Sequence, residues 1–237
     1  MAAEMAPETG SNPWDEHAAA FARWVAETYR DDPQAVSGSS LPGRLLAMLG
    51  DVAGLPVLDA CCGEGLLARL LAARGARVTG IDLSPRLIEL ARQKDAQGAI
   101  DYRVGDLSRP LPELEGRFAA IGSYMALNDV ADHRGFAATL ATLAAPGART
   151  ALAFNSPYSF VVRGEGHITD YFASGATGIY GGMSARLGGT VRYYHRTLEE
   201  YLDAFLGAGF RLLKLVDVPP AGRGGLPMFM ILVFEKA

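Results

Sequence analysis

Cysteine is scarce in this sequence, and the two cysteines that occur, Cys61 and Cys62, are adjacent. Neighbouring cysteines rarely form a disulfide without strain, and two thiols are too few for a structural zinc site. We therefore expect no disulfide and no bound metal, which suits a reducing compartment. Both side chains are expected to be small buried residues rather than nucleophiles.

Long apolar runs are also missing. No stretch approaches the roughly 20 apolar residues that a membrane-spanning helix needs. The first residues include acids, and they have neither the basic region nor the apolar run of a secretory signal. These absences predict a cytoplasmic protein without a membrane partner.

An excess of basic charge is absent as well. The chain of 237 residues has 22 Lys and Arg against 26 Asp and Glu, a net charge of −4. This balance argues against nucleic acid as a partner and favours a small-molecule ligand. Hydrophobic residues make up 49% and charged residues 20%, which indicates one folded domain with additions. A monomer and a homodimer are both compatible with this composition.

Patterns typical of strands and helices alternate from Leu55 onward. Buried-strand patterns cover 55–59, 77–81, 100–104, 118–123 and 149–154, with helical periodicity between them. The helix before the fifth strand is expected to end at Pro146-Gly147. Such alternation predicts crossover units around a mostly parallel sheet. Two last strands, 210–218 and 228–234, are separated by a short loop and must form an antiparallel hairpin.

Two segments depart from this alternation. A helix that begins at Pro13 precedes the first strand and carries Trp14 and Phe21 on one apolar face. A second segment after the fifth strand is rich in glycine and aromatic residues, which suits a mobile substrate cap. We predict an N-terminal tail and helical lid over 1–41, a cofactor-binding core over 42–156, a cap insertion over 157–195, and a C-terminal helix and hairpin over 196–237.

The loop after the first predicted strand carries the most chemical information. The strand ends at Asp59, and a loop of small residues follows through Gly63 and Gly65 into a helix. Small residues let a ligand approach the backbone, and the helix N-terminus attracts an anion. With Ala68 and a later Asp82, this pattern also fits the fingerprint of nicotinamide dinucleotide sites. The loop alone therefore leaves the ligand open.

Three further features narrow the choice. Asp59 directly before the loop would repel a pyrophosphate but suits an ammonium group. A second acid, Asp106, ends the third strand, and the sheet ends in an antiparallel hairpin. In these features, over about residues 14–237, the sequence resembles the class I S-adenosylmethionine-dependent methyltransferases.

The resemblance implies a fold and an activity. The fold would be α/β, a doubly wound Rossmann-like sheet of seven strands in the order 3-2-1-4-5-7-6 with strand 7 antiparallel. The activity would be methyl transfer from S-adenosylmethionine, with S-adenosylhomocysteine as product, to a small organic acceptor in bacterial specialised metabolism. Oxygen is the expected acceptor atom, and nitrogen and carbon stay open.

The resemblance also implies which residues hold the cofactor. Asp59, Cys61, Gly63 and Gly65 match the first motif, which wraps the methionine part of the cofactor, although Cys61 replaces a glycine. Asp82 would accept from both ribose hydroxyls, and Leu83 would pack on the adenine. The remaining cofactor contacts implied are Asp106, Leu107, Ser123, Tyr124 and Phe21.

The acceptor would lie between the lid, the end of the fourth strand and the cap. The residues implied there are Trp14, Tyr124, Asn128, Tyr158, Tyr171 and Tyr180. A general base is needed only if the acceptor must lose a proton. His167 and His195 are the candidates, with His133 behind them, because an unperturbed histidine pKa near 6.5 suits that task.

Three other functions stay open at this stage. An enzyme of the same fold could use the cofactor for a cyclisation or rearrangement without methyl transfer. An NAD-dependent oxidoreductase would use the same glycine loop for a dinucleotide. A non-catalytic adaptor could also retain the fold.

Overall fold

The described parts of the chain include seven α-helices, a short 3₁₀ helix (Pro112–Leu114) and nine strands. The structure is a computed structural model that describes residues 13–29, 40–159, 170–175, 177–179, 181–219 and 225–237. The helices are α1 (Pro13–Tyr29), α2 (Leu41–Leu49), α3 (Leu66–Ala72), α4 (Pro85–Lys94), α5 (His133–Leu143), α6 (Gly181–Leu187) and α7 (Leu198–Gly207). The strands are β1 (Pro56–Ala60), β2 (Arg77–Asp82), β3 (Asp101–Val104), β4 (Phe118–Tyr124), β5 (Ala144–Asn155), β6 (Thr177–Ile179), β7 (Arg192–Tyr194), β8 (Phe210–Val218) and β9 (Phe229–Lys236).

Seven of the strands form one sheet in the order β3-β2-β1-β4-β5-β9-β8. Strands β1 to β5 run parallel to one another, and β9 is antiparallel to both of its neighbours, β5 and β8. Because β6 and β7 form a separate pair, β8 and β9 are the sixth and seventh strands of the sheet. The predicted order 3-2-1-4-5-7-6 with an antiparallel last strand is confirmed.

Helices cover both faces of the sheet and bury two apolar clusters. On one face, α5 and α7 contribute Phe136 and Phe205. On the other face, α2, α3 and α4 contribute Leu45, Leu70 and Ile88. The sheet itself is therefore buried on both sides, which accounts for the continuous apolar runs of its strands.

The predicted end of the helix before the fifth strand is wrong. The helix α5 ends at Leu143, and β5 begins at Ala144, so Pro146 and Gly147 lie inside the strand. The pairing of β5 with β4 is irregular there, with a register shift between Phe118 and Ala120. Gly147 has a φ of 77°. Proline and a left-handed glycine are tolerated in a strand where its regular pairing is interrupted.

The glycine-rich segment after β5 contributes no strand to the large sheet within its described residues. It holds the small antiparallel pair of β6 and β7 together with α6. The helix α1 packs against both α4 and α6. Within the described ranges, no helix combines the length and apolar character needed to cross a membrane.

Candidate functional site

The carboxylate of Asp82 is fixed at the carboxyl end of β2 by two backbone donors. The N–H of Gly63 donates to its Oδ2 at 2.8 Å, and the N–H of Ser84 donates to its Oδ1 at 2.9 Å. Asp82 is 9% exposed, and burial raises its pKa while the two backbone hydrogen bonds oppose this shift. Each carboxylate oxygen keeps a lone pair that can accept from a ligand hydroxyl. The glycine loop and Asp82, which are 19 residues apart in sequence, are thus in direct contact.

The loop after β1 contains three residues in the left-handed region. The φ angles are 58° at Cys61, 55° at Gly63 and 86° at Gly65. Cys61 stands where the motif has glycine and adopts the conformation that glycine favours, at a cost of about 1–2 kcal/mol. At Gly65 a Cβ atom would lie 2.3 Å from the Tyr102 hydroxyl oxygen. No side chain fits at Gly65, whereas a small one is tolerated at Cys61.

The carboxylate of Asp59 is buried beneath this loop. It is 1% exposed, and both of its oxygens lack a hydrogen-bond partner among the described residues. Burial raises the pKa of Asp59 to about 8; the nearby backbone of Ala68 opposes this shift, and repulsion from Asp82 and Glu64 adds to it. A nearby cation would stabilise the ionised form of this buried carboxyl group. The ammonium group of an amino-acid ligand would supply one.

A buried ion-pair network stabilises the same loop, and sequence reasoning missed it. The Glu64 carboxylate is 2.6 Å from the Lys94 Nζ and 3.1 Å from an Arg69 nitrogen. Arg69 also donates to the Glu64 carbonyl at 2.7 Å. Glu64 lies between two motif glycines, which is the only signal in the sequence that could have marked it. The network links the loop to α3 and α4.

Exposed apolar side chains lie at the edge of the site near β3, among them Leu83 and Val104. Leu83, directly after Asp82, is 55% exposed and offers a surface for a flat ring. Asp106 is held by Ser108, whose backbone N–H and hydroxyl donate to its Oδ1 at 2.9 and 2.6 Å. The side chain of Leu107 is buried in the core formed with α5 and α7, and its contact with the cofactor stays a prediction. The side chain of its neighbour Asp106 is 42% exposed.

The helix α1 covers the glycine loop from above. A Cβ atom on Gly63 would lie 3.5 Å from Cε1 of Phe21, so the Phe21 ring packs over this glycine. Trp14 contacts Phe21 edge to face, with ring centroids 5.4 Å apart. Asp15 accepts from the Ser84 hydroxyl at 2.5 Å and from the Arg86 N–H at 3.2 Å. The first half of α1 is therefore anchored on α4 and on the loop.

The carboxyl end of β4 reaches the other end of α1. Ser123 is buried, and its hydroxyl has no partner among the described residues. The next residue, Tyr124, has its hydroxyl oxygen 2.5 Å from that of Tyr29, the last residue of α1. Sequence reasoning missed Tyr29, although its spacing of eight residues from Phe21 places it on the same face of α1. Met125 follows with a φ of 61° and turns the chain away from the strand.

The side chain of Asn128 makes hydrogen bonds to other elements of the fold. It is buried; its Oδ1 accepts from the Asn155 N–H at 3.0 Å, and its Nδ2 donates to the Tyr201 hydroxyl at 3.3 Å. Its carbonyl also accepts from the Tyr194 N–H at 2.7 Å. These bonds join the loop after β4 to β5, β7 and α7. A direct contact of Asn128 with the acceptor stays a prediction.

Two predicted acceptor residues form one aromatic stack. The rings of Tyr158 and Tyr171 are 5.2 Å apart and nearly parallel. The Tyr171 hydroxyl accepts from the N–H of Leu198, the first residue of α7, at 2.8 Å. The stack therefore connects the glycine-rich segment to the core. Tyr180 and His167 lie outside the described residues.

The two described histidine candidates differ in their hydrogen bonding. His195 is fully buried, and its Nε2 donates to the Tyr171 carbonyl at 2.8 Å, because a carbonyl oxygen can only accept. Its Nδ1 has no partner among the described residues, so in the neutral ring it bears the lone pair. His133 begins α5, and burial together with the charge of Arg196 lowers its pKa to about 4. His133 is therefore uncharged and a weak base at neutral pH.

Known proteins with similar sequences include methyltransferases. Residues 57–147 match a family model described as a methyltransferase domain. The chain is 35% identical over 139 residues to a ubiquinone biosynthesis O-methyltransferase of Xanthomonas oryzae pv. oryzae, covering 57% of each chain. It is 37% identical over 116 residues to a demethylmenaquinone methyltransferase of Tropheryma whipplei, covering 48% of each chain. The chain thus spans about half the length of the curated relatives it matches.

Solved structures share the fold over most of the chain. An S-adenosylmethionine-dependent methyltransferase from Mesorhizobium loti matches with a TM-score of 0.70 and 24% identity, covering 83% of this chain and 98% of that one. A geranyl diphosphate C-methyltransferase from Streptomyces coelicolor A3(2), solved with S-adenosyl-L-homocysteine, matches with a TM-score of 0.62 and 16% identity, covering 83% and 75%. These likenesses confirm the expected fold.

Proposed function

We propose that this chain, which carries a methyltransferase domain of the class I S-adenosylmethionine-dependent fold, transfers a methyl group from that cofactor to a small organic acceptor. The proposal depends on the two acids that lie beside the glycine loop. The Gly63 N–H holds the Asp82 carboxylate at 2.8 Å, while the adjoining Asp59 carboxyl group is buried without a hydrogen-bond partner among the described residues. A ribose diol and an ammonium group complement these two acids.

The residues at the site fit the cofactor in chemistry. Asp59 and the glycine loop would hold its methionine part, Asp82 its ribose, and Leu83 with Asp106 its adenine. When bound, S-adenosylmethionine supplies a methyl group on an activated sulfonium. The protein then has to orient the acceptor and exclude water, which contributes up to roughly 7–11 kcal/mol when the reacting atoms are aligned. Phe21, which packs over Gly63, would provide an apolar cover over the loop.

An aromatic acceptor with a hydroxyl group is the class that we favour. Tyr29 and Tyr124 at the end of β4, together with the stack of Tyr158 and Tyr171, provide aromatic rings with polar tips. One relative is named an O-methyltransferase of ubiquinone biosynthesis, which supports oxygen as the acceptor atom. Transfer to a hydroxyl oxygen would break the bond between the methyl carbon and the sulfur and would release the hydroxyl proton, which the protein would have to pass to a base or to water. Nitrogen and carbon acceptors and a role in specialised metabolism stay predictions.

Of the histidines, His195 retains a chemical basis for a catalytic role. Its Nδ1 bears a lone pair that can take a proton, although the ring is fully buried and its Nε2 is bound to Tyr171. The hydrogen bond from its Nε2 to the Tyr171 carbonyl also fixes the position of His195 relative to the segment after β5. Base catalysis by His195 or by His167 stays a prediction.

Binding and transfer measurements test this function. Isothermal titration calorimetry of the full chain with S-adenosylhomocysteine and with NAD⁺ is expected to give saturable binding of the first alone. Incubation with methyl-labelled S-adenosylmethionine and catechol is expected to label the catechol. Binding of NAD⁺ instead would favour an oxidoreductase, and absence of any binding would favour an adaptor. Conversion of an acceptor without label would favour a cyclisation or rearrangement.

A further inference from the structure

Two tyrosine hydroxyl groups meet where α1 ends. The Tyr29 and Tyr124 oxygens are 2.5 Å apart, and the rings pack edge to face with centroids 6.4 Å apart. Tyr29 ends α1 and Tyr124 ends β4. The contact therefore requires α1 to lie across the carboxyl end of the sheet. Asp15 and Phe21 anchor the other half of α1 at separate places.

A count of hydrogens shows what the pair can still do. Two phenols carry two hydroxyl hydrogens, and the bond between them uses one. Among the described residues, neither hydroxyl makes another hydrogen bond, and both side chains are only partly buried. One hydrogen is thus left for a ligand or for water.

The protonation state of the two tyrosines decides whether they donate a hydrogen to a ligand or remove a proton from it. Burial raises the pKa of Tyr29 and of Tyr124 above the usual tyrosine range. Both groups are therefore neutral phenols near pH 7, and they donate a hydrogen rather than remove a proton. Tyr124 lies near the proposed cofactor site, because Gly122, two residues before it, pairs with Asp59. A molecule bound beside the cofactor would be close to the tyrosine pair. We therefore take the acceptor as the recipient of the remaining hydrogen.

We propose that Tyr29 and Tyr124 form a donor pair that positions the acceptor through a second oxygen beside the one that is methylated. In this arrangement α1 brings the Tyr29 hydroxyl to Tyr124, and the pair donates its remaining hydrogen to that second oxygen. Tyr124 contacts the acceptor, and Tyr29 is a positioning residue that acts through Tyr124. The inference rests on the proposed function, and it predicts that an acceptor with two adjacent hydroxyls is preferred over one with a single hydroxyl.

Catechol and phenol are suitable probes, because they differ by that one hydroxyl group. Binding of each to the complex of the full chain with S-adenosylhomocysteine is measured by calorimetry. The proteins compared are the wild type, Tyr29→Phe, Tyr124→Phe and the double variant. We expect Tyr124→Phe to bind catechol about fivefold more weakly, the effect of one hydrogen bond, and Tyr29→Phe, which keeps the Tyr124 hydrogen but loses its positioning partner, to bind it more weakly by a smaller factor; both should bind phenol unchanged. Because the pair acts as one donor, the double variant is expected to be no weaker than the weaker single variant.

Thr28→Val is the matched control. Thr28 precedes Tyr29 in α1 and is exposed, and its hydroxyl donates to the Trp24 carbonyl of the same helix. Its loss should leave both affinities unchanged. Absence of catechol binding, equal losses for catechol and phenol, or independent additive losses in the double variant would each overturn the donor pair. Failure of the wild type to bind S-adenosylhomocysteine would contradict the proposed function itself.

Discussion

At the scale of the residue, Asp82 is the acid with the best-defined orientation in the site. Replacing it with asparagine puts an amide where two backbone N–H groups donate and removes the charged acceptor for the ribose. We expect Asp82→Asn to weaken S-adenosylhomocysteine binding by about 1.5–3 kcal/mol, the range for hydrogen bonds to a charged group. Calorimetry checks this value. Asp101→Asn, which removes an exposed carboxylate of β3, should have no effect, and equal affinities of the wild type and Asp82→Asn would remove Asp82 from the site.

The buried Asp59 leads to a prediction about pH. Its pKa is about 8 in the folded chain and near 3.9 when unfolded. The folded state thus binds this proton more tightly, so the contribution of Asp59 to stability is fully present below about pH 4 and is lost as pH rises through about 8. We expect the ligand-free Asp59→Asn variant to gain thermal stability over the wild type as pH rises from 5 to 9, by roughly 5 °C or more. Melting temperatures across this range test it, and a difference independent of pH would contradict it.

The residues that sequence reasoning found and missed differ in the range of their contacts. Asp59, Gly63, Gly65 and Asp82 follow from spacing, because a strand end, a tight loop and a helix start are local features. The contact between Tyr29 and Tyr124 could not be predicted. The two residues are 95 positions apart in sequence, and they meet only because of the way α1 crosses the sheet. The contact of Glu64 with Lys94 was missed for the same reason, since Lys94 lies on another helix.

At the scale of the element, α1 is held by contacts that can be removed singly. Asp15 accepts from the Ser84 hydroxyl and the Arg86 N–H at the start of α4. We expect Asp15→Ala to cost about 1 kcal/mol at this anchor, as at a helix cap. Hydrogen exchange across residues 13–29 should become about fivefold faster if α1 opens as a unit. Glu27→Ala, an exposed residue of the same helix, is the control, and unchanged exchange in Asp15→Ala would show that Asp15 does not hold α1.

The elements of the sheet were predicted well, and the one error has a physical cause. Strand type and order follow from apolar runs and from the short loop between β8 and β9, which excludes a crossover. Pro146-Gly147 indicated a helix end because both residues break helices. The helix had already ended at Leu143, and the irregular pairing of β5 with β4 accommodates both residues. The local signal marked a break in regular structure but not which element it interrupts.

At the scale of the whole molecule, the carboxyl ends of β1, β2, β3 and β4 gather the candidate site at one edge of the sheet. Asp59 pairs with Gly80 of β2 and with Gly122 of β4, and Asp82 pairs with Val104 of β3. This edge is where open parallel sheets bind ligands. The site therefore depends on the global register of the sheet, and its stability is a property of the entire fold.

Two ion pairs of this fold should contribute very differently to global stability. Lys94 joins α4 to the buried Glu64 at 2.6 Å and donates to the Ala22 carbonyl of α1 at 3.4 Å. Arg86 pairs with Glu89 at 2.8 Å, with both side chains more than half exposed. Removing one partner of a buried pair leaves an uncompensated charge, whereas an exposed pair contributes 0–1 kcal/mol.

We therefore expect Lys94→Met to lower the free energy of unfolding by about 1–3 kcal/mol, below the full cost of breaking a buried pair because Arg69 still contacts Glu64. Arg86→Met, the matched control, should change it by less than about 1 kcal/mol. Urea denaturation of both variants measures these values, and an unchanged denaturant slope would show that the folded surface is preserved. Equal losses in the two variants would mean that the Glu64 network does not stabilise the fold beyond an ordinary surface pair.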